Sequence, residues 1–286
     1  MRRLILAGLL ATVSAGPVPA AEACRADPRV EAVAADWLAK RPQPLREFAP
    51  GQGTCFRQQL VARLIPTVGP VIGYKVGAFT KAGQATYNTD RPVVAVLLRD
   101  MLLPEGRPVP ANYGVTPLWE GDFLLVIKDA GINTAATREE AYRSLRGYRP
   151  FIELADRGYP AGAVISLDQW KALNVSSRHG VAGKEVPLPQ TKAGFDALAA
   201  MTVEAEAVGP SGSQTRSGVA RVALGDPVEV VLAARDLLRE EGVALKAGDI
   251  ISLGSIIPPT PVKAGETVSV RYHVLDRPDV VTARFE

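Results

Sequence analysis

The chain has 286 residues, 47% of them hydrophobic and 22% charged, and its 33 lysines and arginines against 30 acids leave a formal net charge of +3. That composition belongs to a globular protein with an ample core and excludes a disordered chain. The basic residues are scattered along the sequence, so the clustering that a nucleic-acid surface needs is missing and no nucleic-acid partner is expected.

The N-terminus reads MRRLILAGLLATVSAGPVPAAEAC: two arginines, an apolar stretch from Leu4 to Val13, a Gly-Pro break, then small-residue tripeptides ending at Ala20 and Ala23. This order predicts a secretory signal peptide over 1–23, cleaved after Ala20 or Ala23, and a periplasmic or secreted mature protein. The apolar run is too short for a mature membrane anchor, so no membrane association is expected after cleavage. The only two cysteines, Cys24 and Cys55, favour a disulfide in an exported chain over two free thiols. With His179 and His273 as the only histidines, a Cys/His zinc site lacks ligands.

Helical spacing of Val30, Val33, Ala34, Trp37 and Leu38 predicts a helix over 28–42, and a second over 55–65 ends before Pro66. Short apolar runs between glycines and prolines follow. GPVIGYKVGAF, VVAVLL, FLLVI, RPFIEL, AGAVISL, KEVPL, VARVAL, GDIISLGSI and TVSVRYHVL all read as strands. Two further helices are expected: 137–146, capped by Thr137 with Glu140 three residues on, and GDPVEVVLAARDLLREEG, with Asp226 as N-cap, Pro227 next and Gly242 closing it. The organisation is a helical N-terminal part over 24–70 followed by a β-rich α+β body over 71–286.

Within these strands, three acids are out of place. In TPLWEGDFLLVI, Glu120 and Asp122 are two apart and share a face with Leu124 and Val126, while Trp119, Phe123, Leu125 and Ile127 make the other face apolar. Glu153 lies in RPFIELAD between Ile152 and Leu154. Unpaired buried carboxylates are costly and repel one another unless a cation joins them. Three carboxylates without clustered His or Cys suit Mg2+ or Mn2+; ion pairs with lysine or arginine are the alternative. Lys75, in VIGYKVGAF between Gly73 and Gly77, is a buried cation suited either to a substrate carboxylate or to a salt bridge with one of these acids. NVSSRHG (174–180) gathers polar groups that orient an anion or form a turn, and SLGSI (252–256) offers Gly254 and Ser255 for a close backbone approach to a ligand.

In order, GYKVG, DMLLPEG, EGD, PFIELAD, NVSS, LGDPVEVVLAARDLL, KAGDIISLGS and PVKAGETV resemble the fumarylacetoacetate hydrolase superfamily, in particular its branch of 2-keto-4-pentenoate hydratases and 2-oxo-hexenedioate decarboxylases. The resemblance covers roughly residues 55–275 and rests on the ordered set. It implies a mixed β-roll with a few flanking helices and a divalent metal held by Glu120, Asp122 and Glu153, where Asp122 stands in place of the usual second Glu. It also implies a metal acting as Lewis acid on the 2-oxo and carboxylate oxygens of a substrate, with Lys75 positioning or protonating that substrate and Ser176 beside it. Arg178 is the candidate for the far end of a dicarboxylate. Homo-oligomers are implied by analogy.

Two features depart from that pattern. TDRPVV places Val93 where the hydratases carry an acid, with Asp90 retained upstream, and the export signal separates this chain from cytoplasmic relatives. No histidine precedes His179, which ranks C–C hydrolysis below hydration and decarboxylation. The expected function is therefore an exported metal-dependent hydro-lyase acting on a small 2-oxo or 2-hydroxy-dienoic acid. The alternatives are a carboxy-lyase of the same branch and a non-catalytic, metal-dependent 2-oxo-acid binder.

Overall fold

The computed structural model describes residues 24–274 and 278–286. The expected signal peptide lies outside the described residues. Two helices lead, α1 (Val30–Leu38) and α2 (Gln52–Val68). There follow β1 (Val71–Gly77), α3 (Lys81–Thr86), β2 (Val93–Leu98), β3 (Leu102–Pro104), β4 (Pro117–Ile127), α4 (Arg138–Arg143), β5 (Leu145–Asp156), α5 (Leu167–Ala172), β6 (His179–Ala182) and β7 (Val186–Pro187). The remainder comprises α6 (Lys192–Ala200), β8 (Thr202–Gly209), β9 (Gly212–Val219), α7 (Ala220–Leu224), α8 (Pro227–Glu240), β10 (Ile250–Ser252), β11 (Ile257–Pro261), β12 (Thr267–His273) and β13 (Pro278–Arg284).

The larger sheet runs β2-β1-β10-β4-β5-β6-β3, with β11 also pairing β4 and β7 pairing β5; the smaller runs β13-β12-β8-β9. This is the expected β-rich α+β roll. β4 is its spine, because its two faces serve two purposes. Trp119, Phe123, Leu125 and Ile127 enter the main core between the two sheets, with Val203 and Ala205 of β8, Val268 and Val270 of β12 and Val231 and Ala234 of α8. On the opposite face Leu124 and Val126 join Leu97, Phe151, Ala182 and Ile250 in a smaller apolar cluster, and Glu120 and Asp122 continue that same face. A third cluster packs α1 and α2 on β2 and α5, and Cys24 is disulfide-bonded to Cys55.

Local capping explains the helix positions. Asp226 accepts from the Val228 N–H at the head of α8, and Thr137 and Glu140 form a reciprocal capping box on α4. Four expectations need correction. The second helix is longer than 55–65, because Pro66 sits within its last turn and the Gly69 N–H still bonds the Ile65 carbonyl. AGAVISL is a loop leading into α5: Val164 is 90% exposed, and Ser166 with Gln169 makes a capping box that starts a helix. VARVAL straddles the end of β9 and α7, with Val222 exposed on the latter. The hairpin β8–β9, absent from the expected strands, closes the small sheet. β8 alternates buried Val203, Ala205 and Ala207 with exposed neighbours, while β9 has an almost wholly exposed pattern and is a strand only through its pairing with β8.

Candidate active site

β4 and β5 pair antiparallel with Glu120 opposite Glu153. Because i and i+2 share a face, Asp122 follows Glu120 on that same side. On the far side of β4, β10 sets Ser252 opposite Leu124, and β1 sets Lys75 opposite Ser252. In a flat sheet roughly three strand spacings of about 4.8 Å would separate β1 from β5. The sheet curls instead, and its concave face gathers Lys75, Ser252, Glu120, Asp122 and Glu153.

These groups are deeply buried. Lys75 and Glu120 are each 6% exposed, Glu153 2% and Asp122 not at all. The Lys75 ammonium is ion-paired to Glu153 Oε1 and also donates to the Val175 carbonyl at 3.3 Å. Asp122 accepts from the Ser252 hydroxyl at 2.5 Å and from the Phe123 N–H at 2.6 Å. The Ser255 hydroxyl donates to Glu120 Oε2. Tyr272 braces the strand pair from beneath, donating to the Asp122 carbonyl at 2.5 Å.

Burial dominates the protonation of the group. It pushes Asp122 up to about 7, against the lowering effect of Ser252, the Phe123 and Gly254 N–H groups and Lys75. It also raises Glu153, which Lys75 pulls back toward the charged form. Burial alone would pull Lys75 down, but the charges of Glu153, Glu120 and Asp122 outweigh it and hold the ammonium above the ordinary lysine value.

Above this floor opens a cleft of about 540 Å³ lined by Lys75, Glu120, Ser176, Gly254 and Ser255, with Arg157, Tyr87, Trp170 and Leu224 among the remaining walls. Three consecutive residues, Asn174, Val175 and Ser176, have φ of 53°, 53° and 60°. Left-handed backbone is unfavourable for a β-branched residue, so Val175 is a true outlier. The segment is over-determined by its surroundings. The Asn174 amide brackets Val96, accepting from its N–H and donating to its carbonyl, both at 2.8 Å. The turn thereby aims the Val175 carbonyl at Lys75 and turns Ser176 into the cleft, where its Oγ accepts from the Trp170 indole at 3.0 Å. Trp170 in turn stacks on Tyr87, with centroids 3.8 Å apart and planes at 5°. Gly77 permits this packing, since a Cβ there would lie 2.7 Å from both Trp170 and Val175. The neighbours that approach that glycine are the cleft wall itself.

The structure thus brings together Lys75, Ser176, Glu120, Gly254 and Ser255 around the cleft, with Asp122 and Glu153 in the layer beneath. Arg178 is elsewhere. Its guanidinium lies 3.8 Å over the Trp37 ring and donates to the Trp37 carbonyl at 2.6 Å, fastening α1 to the segment after Ser176. Arg157 lines the cleft instead. Reasoning from sequence passed over Arg157, Tyr87, Trp170 and Ser252. For Ser252 the signal was present, a hydroxyl embedded in the apolar run GDIISL. Arg157 carried no such signal, since it lies one residue past the end of β5.

Among the described residues, no three acids, cysteines or histidines form a ready-made metal cage. The expected triad is on one face, but each member is turned to a protein partner: Glu120 to Ser255, Asp122 to Ser252, Glu153 to Lys75. The donor set nonetheless fits a hard divalent cation. It is all carboxylate, and Glu153 Oε2 is buried with no hydrogen-bond partner.

The description "Fumarylacetoacetate (FAA) hydrolase C-terminal" matches residues 74–279. The 2-hydroxyhexa-2,4-dienoate hydratase of Comamonas testosteroni is 27% identical over 205 residues, 68% of this chain and 72% of that protein. The 4-oxalocrotonate decarboxylase of Pseudomonas sp. (strain CF600) is 26% identical over 215 residues, 75% of this chain and 77% of that one. Among solved structures, 4-oxalocrotonate decarboxylase from Pseudomonas putida G7, complexed with magnesium and adipate, superposes with a TM-score of 0.77 at 21% identity, covering 90% of this chain and 95% of that chain. A second structure of it, complexed with calcium and acetate, gives 0.76 at 22% identity, covering 90% and 97%. With its family match spanning most of its length and its fold shared with these neighbours, this chain belongs to the fumarylacetoacetate hydrolase family, in the company of 2-keto-4-pentenoate hydratases and 4-oxalocrotonate decarboxylases.

Proposed function

We propose that this chain is an exported, divalent-metal-dependent lyase of the hydratase type acting on a small 2-oxo or 2-hydroxy-dienoic acid. The hydratase and decarboxylase relatives support a lyase of this branch, and the magnesium and calcium complexes of the structural neighbour support a divalent metal. The observation that carries the reading is the meeting of three strand-borne carboxylates and a buried lysine on one concave sheet face, at the floor of a cleft.

Glu120, Asp122 and Glu153 would hold Mg2+ or Mn2+. Such an ion supplies Lewis-acid polarisation of a 2-oxo group and its neighbouring carboxylate. Lys75, held as a cation, faces substrate from the cleft floor and can position an anionic oxygen or deliver a proton. The Ser176 oxygen is already engaged by the Trp170 N–H, so its own proton is left to donate toward a substrate oxygen. Gly254 and Ser255 line the side next to Glu120, and the Trp170–Tyr87 stack shields the floor from bulk water.

Val93 favours a second reading, a carboxy-lyase of the same branch. It is buried at 5% exposure within the apolar cluster under α5, so no acid stands there to handle the proton of water addition. A non-catalytic 2-oxo-acid binder is the third. Calorimetry of Mg2+ and Mn2+ with oxalate, on wild type and Glu120→Ala, tests the site: metal and oxalate should bind together and both should be lost in the variant. Turnover of 2-hydroxy-dienoates at saturating Mg2+, followed with CO2 release, separates the three, since a hydratase consumes the dienoate without CO2 and a binder does neither.

Export is supported by the N-terminal pattern and by the Cys24–Cys55 bond, which suits an oxidising compartment. Cell fractionation with N-terminal sequencing of the mature protein tests it; a full-length cytoplasmic product overturns it. The family company also motivates a homo-oligomer, to be checked by light scattering, where a monomer at working concentration is the contrary result.

A further inference from the structure

In NVSSRHG, Asn174 brackets Val96, Ser176 faces the cleft and Arg178 stacks on Trp37. Ser177 and His179 turn elsewhere. Both line a second, much smaller pocket beside Glu153. It lies next to the cleft but apart from it: Glu153 borders this pocket, whereas Lys75 and Glu120 border the cleft. Ile72, Leu97, Met101 and Phe151 give it apolar walls. On β6, Gly180 stands directly opposite Glu153, and a Cβ there would collide with the Phe151 ring that closes the pocket. The space open to the centre of a water molecule is about 10 Å³, the room of a single water.

Four buried side-chain atoms of the lining residues lack a protein partner: Glu153 Oε2, Ser177 Oγ, Arg178 Nε and His179 Nδ1. Each is costly to leave bare, so four around one pocket call for a common partner. Their chemistry is complementary to water. The Ser177 O–H and Arg178 Nε–H are donors, while Glu153 Oε2 and one nitrogen of a neutral imidazole are acceptors. Burial, with Arg178 and Lys40 nearby, drives His179 down to about 4, so its ring is neutral at neutral pH. Two donors and two acceptors engage both lone pairs and both hydrogens of one water. A metal ion in that place would face the Arg178 guanidinium, and an anion the Glu153 carboxylate.

We propose that this pocket binds one buried water, held by Ser177, Arg178 and His179 against Glu153 Oε2, and that Ser177 and His179 are positioning residues which fix the Glu153 carboxylate through it. With Oε1 paired to Lys75 and Oε2 held by the water, the carboxylate is pinned at both oxygens. Each carboxylate oxygen has two acceptor sites, so the water leaves Oε2 one for a cation. The positioning role rests on the metal-site reading above and extends it to the side chains behind one ligand; the water site is independent of that reading. Partners of this kind set the orientation of a metal ligand and with it the metal affinity.

Crystals of the mature protein, at a resolution that shows ordered water, test the site. A water should lie within about 3.2 Å of both Glu153 Oε2 and Ser177 Oγ; a pocket without one, or one filled by a metal ion, overturns the assignment. Variants test the role. Ser177 has extended backbone, φ −64° and ψ 120°, which valine adopts at ease. Ser177→Val fills the pocket, whereas Ser177→Ala removes one partner and leaves the water its room. In calorimetry with Mg2+ and oxalate, on proteins shown by thermal unfolding to be folded, affinity should be about tenfold weaker in Ser177→Val and near wild type in Ser177→Ala. His179→Phe, which keeps a ring and removes the acceptor, should fall between them. Loss of the hydroxyl is common to both serine variants, so equal weakening of the two overturns the positioning role, as does wild-type affinity in Ser177→Val or His179→Phe. Failure of wild type to bind oxalate with Mg2+ overturns the metal-site reading and the positioning role with it, while the water stands or falls by the crystals alone.

Discussion

Glu120 and Glu153 stand directly opposite each other on adjacent antiparallel strands, one held by the Ser255 hydroxyl and the other by the Lys75 ammonium. Like charges in that position repel. Glu120→Gln should raise the stability of the EDTA-treated protein by roughly 0.5–1 kcal/mol while abolishing the stabilisation that Mg2+ gives wild type. Urea unfolding in EDTA and in Mg2+ reads both. A variant still stabilised by Mg2+ to the wild-type extent would remove Glu120 from the ligand set.

Among the described residues, Lys75 is the only cation ion-paired with Glu153. Replacing one member of a buried pair leaves the other charge uncompensated, so Lys75→Met should cost about 3 kcal/mol or more in EDTA. Excess Mg2+ should recover part of that loss by taking over the neutralisation of Glu153. The same urea titrations decide it, and a loss equal in EDTA and in Mg2+ would show that lysine and metal do not share a partner.

Asp122 carries a pH signature. Its folded value of about 7 lies above the ordinary carboxylate value because burial penalises the ionised form. For an acid raised in this way, the metal-free protein loses stability as pH rises through the interval from about 4 to 7, and the penalty is complete above it. Asp122→Asn should therefore be more stable than wild type at pH 8 in EDTA, by about 2–4 kcal/mol from the size of the shift, and the advantage should vanish near pH 4. Thermal unfolding of both proteins across that range measures the difference. An advantage independent of pH would deny that burial of this carboxylate is its source.

The left-handed turn at 174–176 separates into two costs. Asn174→Gly keeps a residue at ease with positive φ but loses both bonds to Val96, whereas Asn174→Ala adds backbone strain of about 1 kcal/mol. Both variants should be less stable than wild type, the alanine more so. Both should bind oxalate with Mg2+ more weakly, because the Val175 carbonyl and Ser176 lose their aim. Urea unfolding with calorimetry checks this; undiminished oxalate affinity in both would mean that the turn does not organise the cleft.

The acids and Lys75 were legible because a charge inside an apolar, alternating run is visible without any knowledge of the fold. Parity then placed Glu120 and Asp122 on one face correctly. The exchange of Arg178 for Arg157 was not legible in the same way. Arg178 sits in a conspicuously polar cluster, and what disqualifies it, the Trp37 ring, is 141 residues away. AGAVISL misled by composition, since its apolar residues carry no strand period and the Ser166–Gln169 cap was the informative pair. β9 had no apolar pattern to read. The curl that brings β1 over to β5 arises from sheet geometry, which no local window contains.

The stack of Arg178 on Trp37 bears on the order in which the molecule is assembled. α1 is among the first structured parts to be synthesised, yet its anchor at Arg178 emerges only after 141 further residues. The bond between Cys24 and Cys55 needs just 31. Once Cys55 has emerged, oxidation can staple the leading segment to α2, holding the two helices as a hairpin until β5 and β6 arrive to receive them. The bridge spans far less chain than the Arg178 anchor, and the wall that carries Ser176 is completed by joining the first helix to a segment from beyond the middle of the chain.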